Sequence, residues 1–348
     1  MLPRDAGFYV IDERVYVRGW HDEVAELLTS GQVDTLVIDE WEQPGLSALV
    51  PLKRSIRRLS IQDPQVTDLS AVSELTGLSD LYVGEGSWPA DAFEAIDFSR
   101  LKKLESFRIS VDVPRFGNLH ECPALTSIHI TDSGLRDLTA LSRVSRLERL
   151  EVMEAPLRSL AGIEGLGSLE WLRLYQVPIE QLDGLQHARR LKEVTLRDVR
   201  RLKSLAGLSS LAELRALEIS GSRKIADLER LRDLRRLEQL RLFSVGSLGA
   251  AHFLSHLTRL KELVLIAAGE LPSLDFLRGL NALERFDASD ATAVRDGDMS
   301  VLLELPALTE VSFMDRRHYS PRLQEIKAVL AERVASATAS RKRRAKPA

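Results

Sequence analysis

A chain of 348 residues that is 44% hydrophobic and 28% charged is too apolar to be disordered, and it contains no run of about eighteen apolar residues that could span a membrane. The formal net charge is −3, but five basic residues (Arg341, Lys342, Arg343, Arg344 and Lys346) lie within the last eight, so the remainder carries −8. An acidic body argues against a surface that tracks phosphates, and the one cysteine, Cys122, excludes an internal disulfide.

The first twenty residues place acids where an export signal needs an unbroken apolar segment, so the expected compartment is the cytoplasm. Phe8–Ile11 and Val15–Val17, separated by Asp12, Glu13 and Arg14, read as a hairpin. His21–Ser30 reads as a helix with Val24, Leu27 and Leu28 on one face and Gly31 as its stop. Residues 1–32 therefore look like an N-terminal cap.

From Val33 onward one pattern recurs. Leu147-x-x-Leu150-x-Val152 returns as Leu169-x-x-Leu172-x-Leu174, each copy preceded by apolar residues at every third position. The first apolar position of the pattern falls at Val33, Ile56, Leu78, Leu104, Leu125, Leu147, Leu169, Leu191, Leu214, Leu237, Leu260, Leu283 and Leu308, which makes thirteen copies at steps of 21 to 26 residues. A unit this short cannot enclose its own core, and a near-constant period in the twenties means a solenoid in which each unit buries its apolar face against its neighbours.

The template L-x-x-L-x-L over Val33–Asp315 resembles the leucine-rich-repeat family, and its 22–23-residue copies are similar to the short internalin-like and phosphatase-regulator-like class. The resemblance implies a bacterial source and an α/β solenoid, a horseshoe of about 13 repeats. It implies a parallel β-sheet on the concave face and short helical or 3₁₀ turns on the convex face. Asp68, Asp137, Ser159, Ser204, Asp227 and Ser273 precede the first convex leucine, where a short side-chain oxygen accepts backbone N–H bonds. The usual asparagine three positions after the third apolar position is missing: Pro64, Ser133, Ala155, Val177, Val199, Ser222, Val245 and Ala268 stand there, and the chain has only Asn118 and Asn281. The turn backbones must therefore find other partners or water.

The 26-residue step after Leu78 puts extra residues between Val83 and Phe98, where two glycines and a proline predict a protruding loop carrying Trp88. Trp88 has two readings, an exposed contact or a filler of the enlarged turn. After Asp315, Ser320 and Pro321 look like the start of a C-terminal capping helix over 316–337, with Leu323, Ile326, Val329, Leu330 and Val334 on one face. The remainder, 338–348, reads as a disordered basic tail.

No phosphate-binding glycine loop, nucleophile elbow or paired C-x-x-C occurs. Asp287, Asp290, Asp296 and Asp298 lack the spacing of a calcium loop. Neither an enzyme, a metal nor a cofactor is expected. The outward strand positions are the informative surface. Trp171, Arg173 and Tyr175 should project together beside Met153 and Glu151, with Arg197, Arg241, Phe243, Tyr82, Arg108 and His129 in the same outward columns. Aromatic and arginine side chains on a rigid face are interface anchors, although they also stabilise sheets by cross-strand packing. A further column (Glu40, Asp63, Glu85, Asp132, Glu154, Asp198, Asp290, Asp315) is acidic, either a solvated edge or a site for a basic partner, and Arg58, Arg149, Arg197 and Arg285 are candidates to neutralise it. The expected function is a monomeric scaffold binding another protein, with no membrane. The alternative is association with nucleic acid through the basic tail.

Overall fold

A computed structural model describes residues 7–84, 88–89, 91–110 and 115–344, with side chains to residue 336. It divides into two compact units, residues 1–177 and 178–348. Glu85 and Lys346, named above, lie outside the described residues.

The first unit opens with an antiparallel hairpin, β1 (Phe8–Ile11) and β2 (Arg14–Arg18), then α1 (Asp22–Ser30), which ends at Gly31 with φ 74°. Val24 and Leu28 bury its inner face. Seven parallel strands follow in chain order: β3 (Thr35–Glu40), β4 (Arg58–Ile61), β5 (Asp80–Gly84), β6 (Ser106–Ser110), β7 (Ser127–Thr131), β8 (Arg149–Met153) and β9 (Trp171–Tyr175), with β2 paired to β3 at the edge. A 3₁₀ segment such as Thr139–Leu141 or Ile163–Gly165 returns the chain between strands. The three template positions of each coil are buried: Leu147, Leu150 and Val152 are fully inaccessible, as are Leu169, Leu172 and Leu174. The alternation along each strand leaves the residues between them outward.

The second unit repeats this plan with β10 (Glu193–Arg197), β11 (Ala216–Ser220), β12 (Gln239–Phe243) and β13 (Glu262–Ile266), then a short β14 (Glu270–Leu271), β15 (Arg285–Ala288), β16 (Ala293–Val294), α2 (Val301–Glu304) and β17 (Glu310–Phe313). β10, β11, β12, β13, β15 and β17 pair in parallel order, and β14 pairs with β16 separately. The last element is α3 (Leu323–Arg344). Ile326 and Leu330 are buried, whereas Val329 and Val334, expected on the same face, are exposed. Arg333 donates to the carbonyls of Leu303 and Leu305 at the end of α2.

Two expectations for this end are corrected. The helix starts at Leu323, after the Ser320–Pro321 step, and the Arg322 N–H is held by Glu325 Oε2 at 2.6 Å. It also runs through 338–344, where a disordered tail was expected. Ala335, Ala337, Ala339 and the basic residues after them are strong helix formers, and cations suit a helix C-terminus.

The missing asparagine is replaced in two ways. First, its place is filled by buried side chains: Ala155, Val177, Val199, Val245 and Ala268 are each at most 3% exposed, and the Ser222 hydroxyl bonds Val199 O and Ser220 O. Second, the residue just after each strand donates its N–H to the strand end of the next coil. Asp132 N bonds Met153 O and Glu154 N bonds Tyr175 O in the first unit; Asp198 N bonds Ser220 O, Gly221 N bonds Phe243 O and Ser244 N bonds Ile266 O in the second.

That post-strand residue is left-handed in repeat after repeat, with φ 49° at Asp132, 52° at Glu154, 51° at Gln176, 52° at Asp198, 53° at Ser244, 52° at Ala267 and 55° at Asp290. Gly221 holds the same place at φ 66°. The acidic column is thus largely a column of one backbone conformation, which short polar residues and glycine tolerate best. Alanine tolerates it poorly. Ala267→Gly is expected to stabilise the second unit by about 0.5–1 kcal/mol, because relief of the left-handed strain exceeds the added chain entropy. Chemical unfolding measures it, and a net loss of stability would sink the strain argument.

The other described acids of the column are also committed elsewhere. Asp63 is buried and accepts from Trp41 N and Gln65 N, Glu40 pairs with Arg18, and Asp315 pairs with Arg322. Three of the arginines expected to neutralise the column face other partners: Arg58 binds Asp34, Arg197 binds Glu218 and Arg285 binds Glu310.

The convex caps form as expected at five places: Asp68, Asp137, Ser159, Ser204 and Ser273 each accept the N–H two residues on. Asp227 instead reaches back to Leu205 N and the Ser204 hydroxyl of the preceding coil. Hydrogen bonds from the Thr139 hydroxyl and then its N–H hold the Asp137 carboxyl below the ordinary carboxylate range. A depressed folded-state value means this stability is present above the unfolded pKa and is lost as pH falls through the folded one. Asp137→Ala is therefore expected to cost about 1 kcal/mol at neutral pH. The gap from the parent should close progressively below about pH 4. Denaturant titrations at pH 7 and pH 3 test this, and an undiminished gap at pH 3 contradicts it.

Candidate outward face of the sheet

On β9 the alternation turns Trp171, Arg173 and Tyr175 to the same side, all half-buried. The parallel register sets Arg149 beside Trp171, Glu151 beside Arg173 and Met153 beside Tyr175, and His129 stands next to Glu151 on β7. Adjacent strands lie about 4.8 Å apart, so these side chains form one contiguous patch.

Its charges are organised around Glu151. Arg173 Nη1 donates to Glu151 Oε1 at 2.9 Å, while His129 Nδ1 lies 2.7 Å from Oε2 and His129 Nε2 lies 2.7 Å from the Thr131 hydroxyl. The Arg173 guanidinium also sits over the Trp171 ring, 4.8 Å from its centroid. Clamped from both ends, Arg173 keeps one flat arrangement, and its buried Nε has no hydrogen-bond partner among the described residues. Tyr175 accepts a bond from the Gln176 amide. The row is therefore both a cross-strand network and a rigid platform of aromatic and guanidinium planes.

The remaining expected site residues fall into separate places. Tyr82 and Arg108 are neighbours on β5 and β6, with Arg108 5.6 Å over the Tyr82 ring and bonded to Asp80 at 2.7 Å. In the second unit, Arg197 binds Glu218 at 2.5 Å, and Arg241 makes a two-pronged pair with Glu262, both contacts 3.0 Å. The Glu262 hydrogen bonds, reinforced by the charges of Glu262, Glu218 and Glu193 and opposed by burial, push the Arg241 guanidinium above its ordinary value. Phe243 is half-buried beside Ile266.

Trp88 is corrected as an exposed contact. It is 7% exposed, and its indole N–H has no partner among the described residues. Residues 85–87 and 90 lie outside the described residues, but the part of the enlarged repeat that follows turns inward. Ala92, Phe93, Ile96 and Phe98 are all buried. The added length houses rings, because Phe93, Phe98 and Phe116 pack around Phe107 at centroid distances of 5.4, 5.6 and 6.5 Å.

Among the described residues no three His, Cys, Asp or Glu side chains are placed to hold a metal ion. The acids considered for that role serve turns: Asp287 takes the Ser289 hydroxyl, Asp296 the Asp298 N–H and Asp298 the Ser300 N–H. Cys122 is buried, and desolvation pushes its thiol up, away from the reactive thiolate. No helix among the described residues is long and apolar enough to cross a membrane.

No family model matches the chain, and no curated protein matches it. Solved structures do. An internalin, InlF, from Listeria monocytogenes superposes with a TM-score of 0.64 at 18% identity, covering 87% of each chain. The plant peptide hormone receptor RGFR1, solved in complex with RGF2, gives 0.51 at 14% identity over 90% of this chain. The functional domain of InlJ from Listeria monocytogenes gives 0.51 at 18% identity over 81% of this chain. The chain spans 60% and 63% of the last two. At these identities the likeness concerns the fold, which is the leucine-rich-repeat solenoid.

Proposed function

We propose that this chain is a non-enzymatic scaffold that binds a partner protein on the outward sheet face, centred on Trp171, Arg173 and Tyr175. The observation that carries the reading is the in-register platform of β8 and β9, in which Glu151 holds the Arg173 guanidinium over the Trp171 ring, beside a half-buried Tyr175. Such pre-organised aromatic and arginine groups lose little entropy on binding and are the types that anchor interfaces. That RGFR1 was solved in complex with RGF2 is consistent with binding by this fold. We take residues 1–32 and the C-terminal segment with its helix from Leu323 onward as caps of the array, and the scaffold as a cytoplasmic monomer, in keeping with its single cysteine.

The test compares capture of partners from source-cell lysate by the parent and by Trp171→Ala/Arg173→Ala/Tyr175→Ala, after circular dichroism has matched their folds. A partner retained by the parent and lost by the variant is the expected result. Identical retention by both overturns the reading. The competing reading, nucleic-acid association through the basic C-terminus, instead requires binding that falls steeply with salt and disappears when residues 341–348 are deleted.

A further inference from the structure

We infer that a second stretch of the same outward face, on β2 to β6 of the first unit, is a groove for an acidic, extended protein segment; this rests on the scaffold reading and names a partner chemistry for it. The groove has a volume of about 640 Å³. Its charged lining residues are Arg14, Arg58 and Arg108 against the single carboxylate of Asp80, a formal balance of +2 in a chain whose total is −3. The sign is local to this place. The small depression on β10 to β12 is lined by Glu193 and Glu218 against Arg241, a balance of −1.

The guanidiniums are arranged for carboxylates spaced along a strand. Register puts Thr35 between Arg14 and Arg58, so the two arginines stand two strands apart, about 9.6 Å. Arg14 is exposed and has no ion-pair partner among the described residues, which leaves its whole donor fork available. Arg58 is held by Asp34 at 2.8 Å and Arg108 by Asp80 at 2.7 Å, and both remain about half exposed. A planar fork anchored on one side and open on the other matches a second carboxylate bidentately.

The floor favours peptide over nucleic acid. The same lining holds the hydroxyls of Thr35, Ser60 and Ser106 and the Gln62 amide; Thr35 already donates to Asp34 and Gln62 to Ser60, which leaves their remaining acceptor and donor positions for backbone N–H and C=O groups. Tyr16 and Tyr82 add half-buried rings with polar tips. A polyanion needs many neutralising contacts, whereas two of the three guanidiniums here are already countered and the body is acidic. Isolated carboxylates on an extended chain need only two or three.

The test is selection of a random twelve-residue peptide display library on the intact protein. Enriched peptides are expected to carry at least twice the Asp and Glu content of the input and to bind at least tenfold more weakly to Arg14→Glu/Arg58→Glu. Binding to Arg136→Glu/Arg143→Glu, an equal charge change at exposed sites outside the groove, should be unchanged. Peptides without acidic bias, or insensitive to the Arg14 and Arg58 reversal, overturn the inference; so does a twenty-residue oligothymidylate that binds the groove more tightly than they do. Selected peptides that ignore the groove variant but are lost on Trp171→Ala/Arg173→Ala/Tyr175→Ala leave the scaffold reading standing without this one. Indifference to both variants removes both.

Discussion

Phe107→Ala is expected to destabilise the first unit by about 3–5 kcal/mol, the largest effect of any single substitution argued for this chain. Phe107 is fully inaccessible and lies at the centre of a four-ring cluster, with Phe93 and Phe98 edge-on to it and Phe116 closing the far side. Removing the central ring strips every one of these contacts at once. Phe93 and Phe98 sit on 3₁₀ segments and Phe116 on irregular backbone just before a third, so they cannot collapse into the void without moving backbone. Phe107→Leu, which keeps most of the volume, is expected to cost well under half as much. Thermal and urea unfolding of both variants decide the matter, and a loss below about 1 kcal/mol for Phe107→Ala would mean that the cluster does not carry the enlarged repeat.

This cluster also marks where the sequence could and could not be read. The strands were legible because a buried leucine at positions one, four and six leaves no freedom of register: a one-residue slip turns Leu150 and Val152 out to water. The caps were legible because Asp137 and Ser159 recur at the same offset from the convex leucines. The enlarged repeat was not, since glycines and a proline beside Trp88 describe a protruding loop as well as the entrance to an inward-folded one. The cue that favoured the inward fold was four phenylalanines between positions 93 and 116, out of ten in the chain. The acidic column, readable as a solvated edge or a site for a basic partner, has a backbone cause as well. Asp132, Glu154, Asp198 and Asp290 share a backbone angle, and Gly221 at the same offset pointed to conformation before charge. The basic end misled because charge density was weighed above the helix propensity of its alanines and arginines.

For the outward face, Trp171→Ala is expected to weaken the proposed partner complex at least thirtyfold, about 2 kcal/mol or more. Its cost to folding should stay below about 1 kcal/mol, because the ring is half-exposed and its main intramolecular contact is the stacked Arg173. The two numbers separate the roles that this patch could serve. If the ring only braced the sheet, truncation would lower stability and leave binding alone; if it is an anchor, the reverse holds. Arg173→Lys sharpens the distinction. It keeps the charge beside Glu151 but replaces a plane that covers the indole with a flexible ammonium, so the platform loses its shape. Most of the thirtyfold loss should therefore reappear in Arg173→Lys, whereas Arg143→Ala, at an exposed position outside the patch, should bind like the parent. Titration of the captured partner against the three variants by calorimetry, with unfolding midpoints alongside, reads both quantities. Parent-like affinity in Arg173→Lys would show that the partner senses only a positive charge there, and the pre-organised platform would lose its place as the reason this face binds.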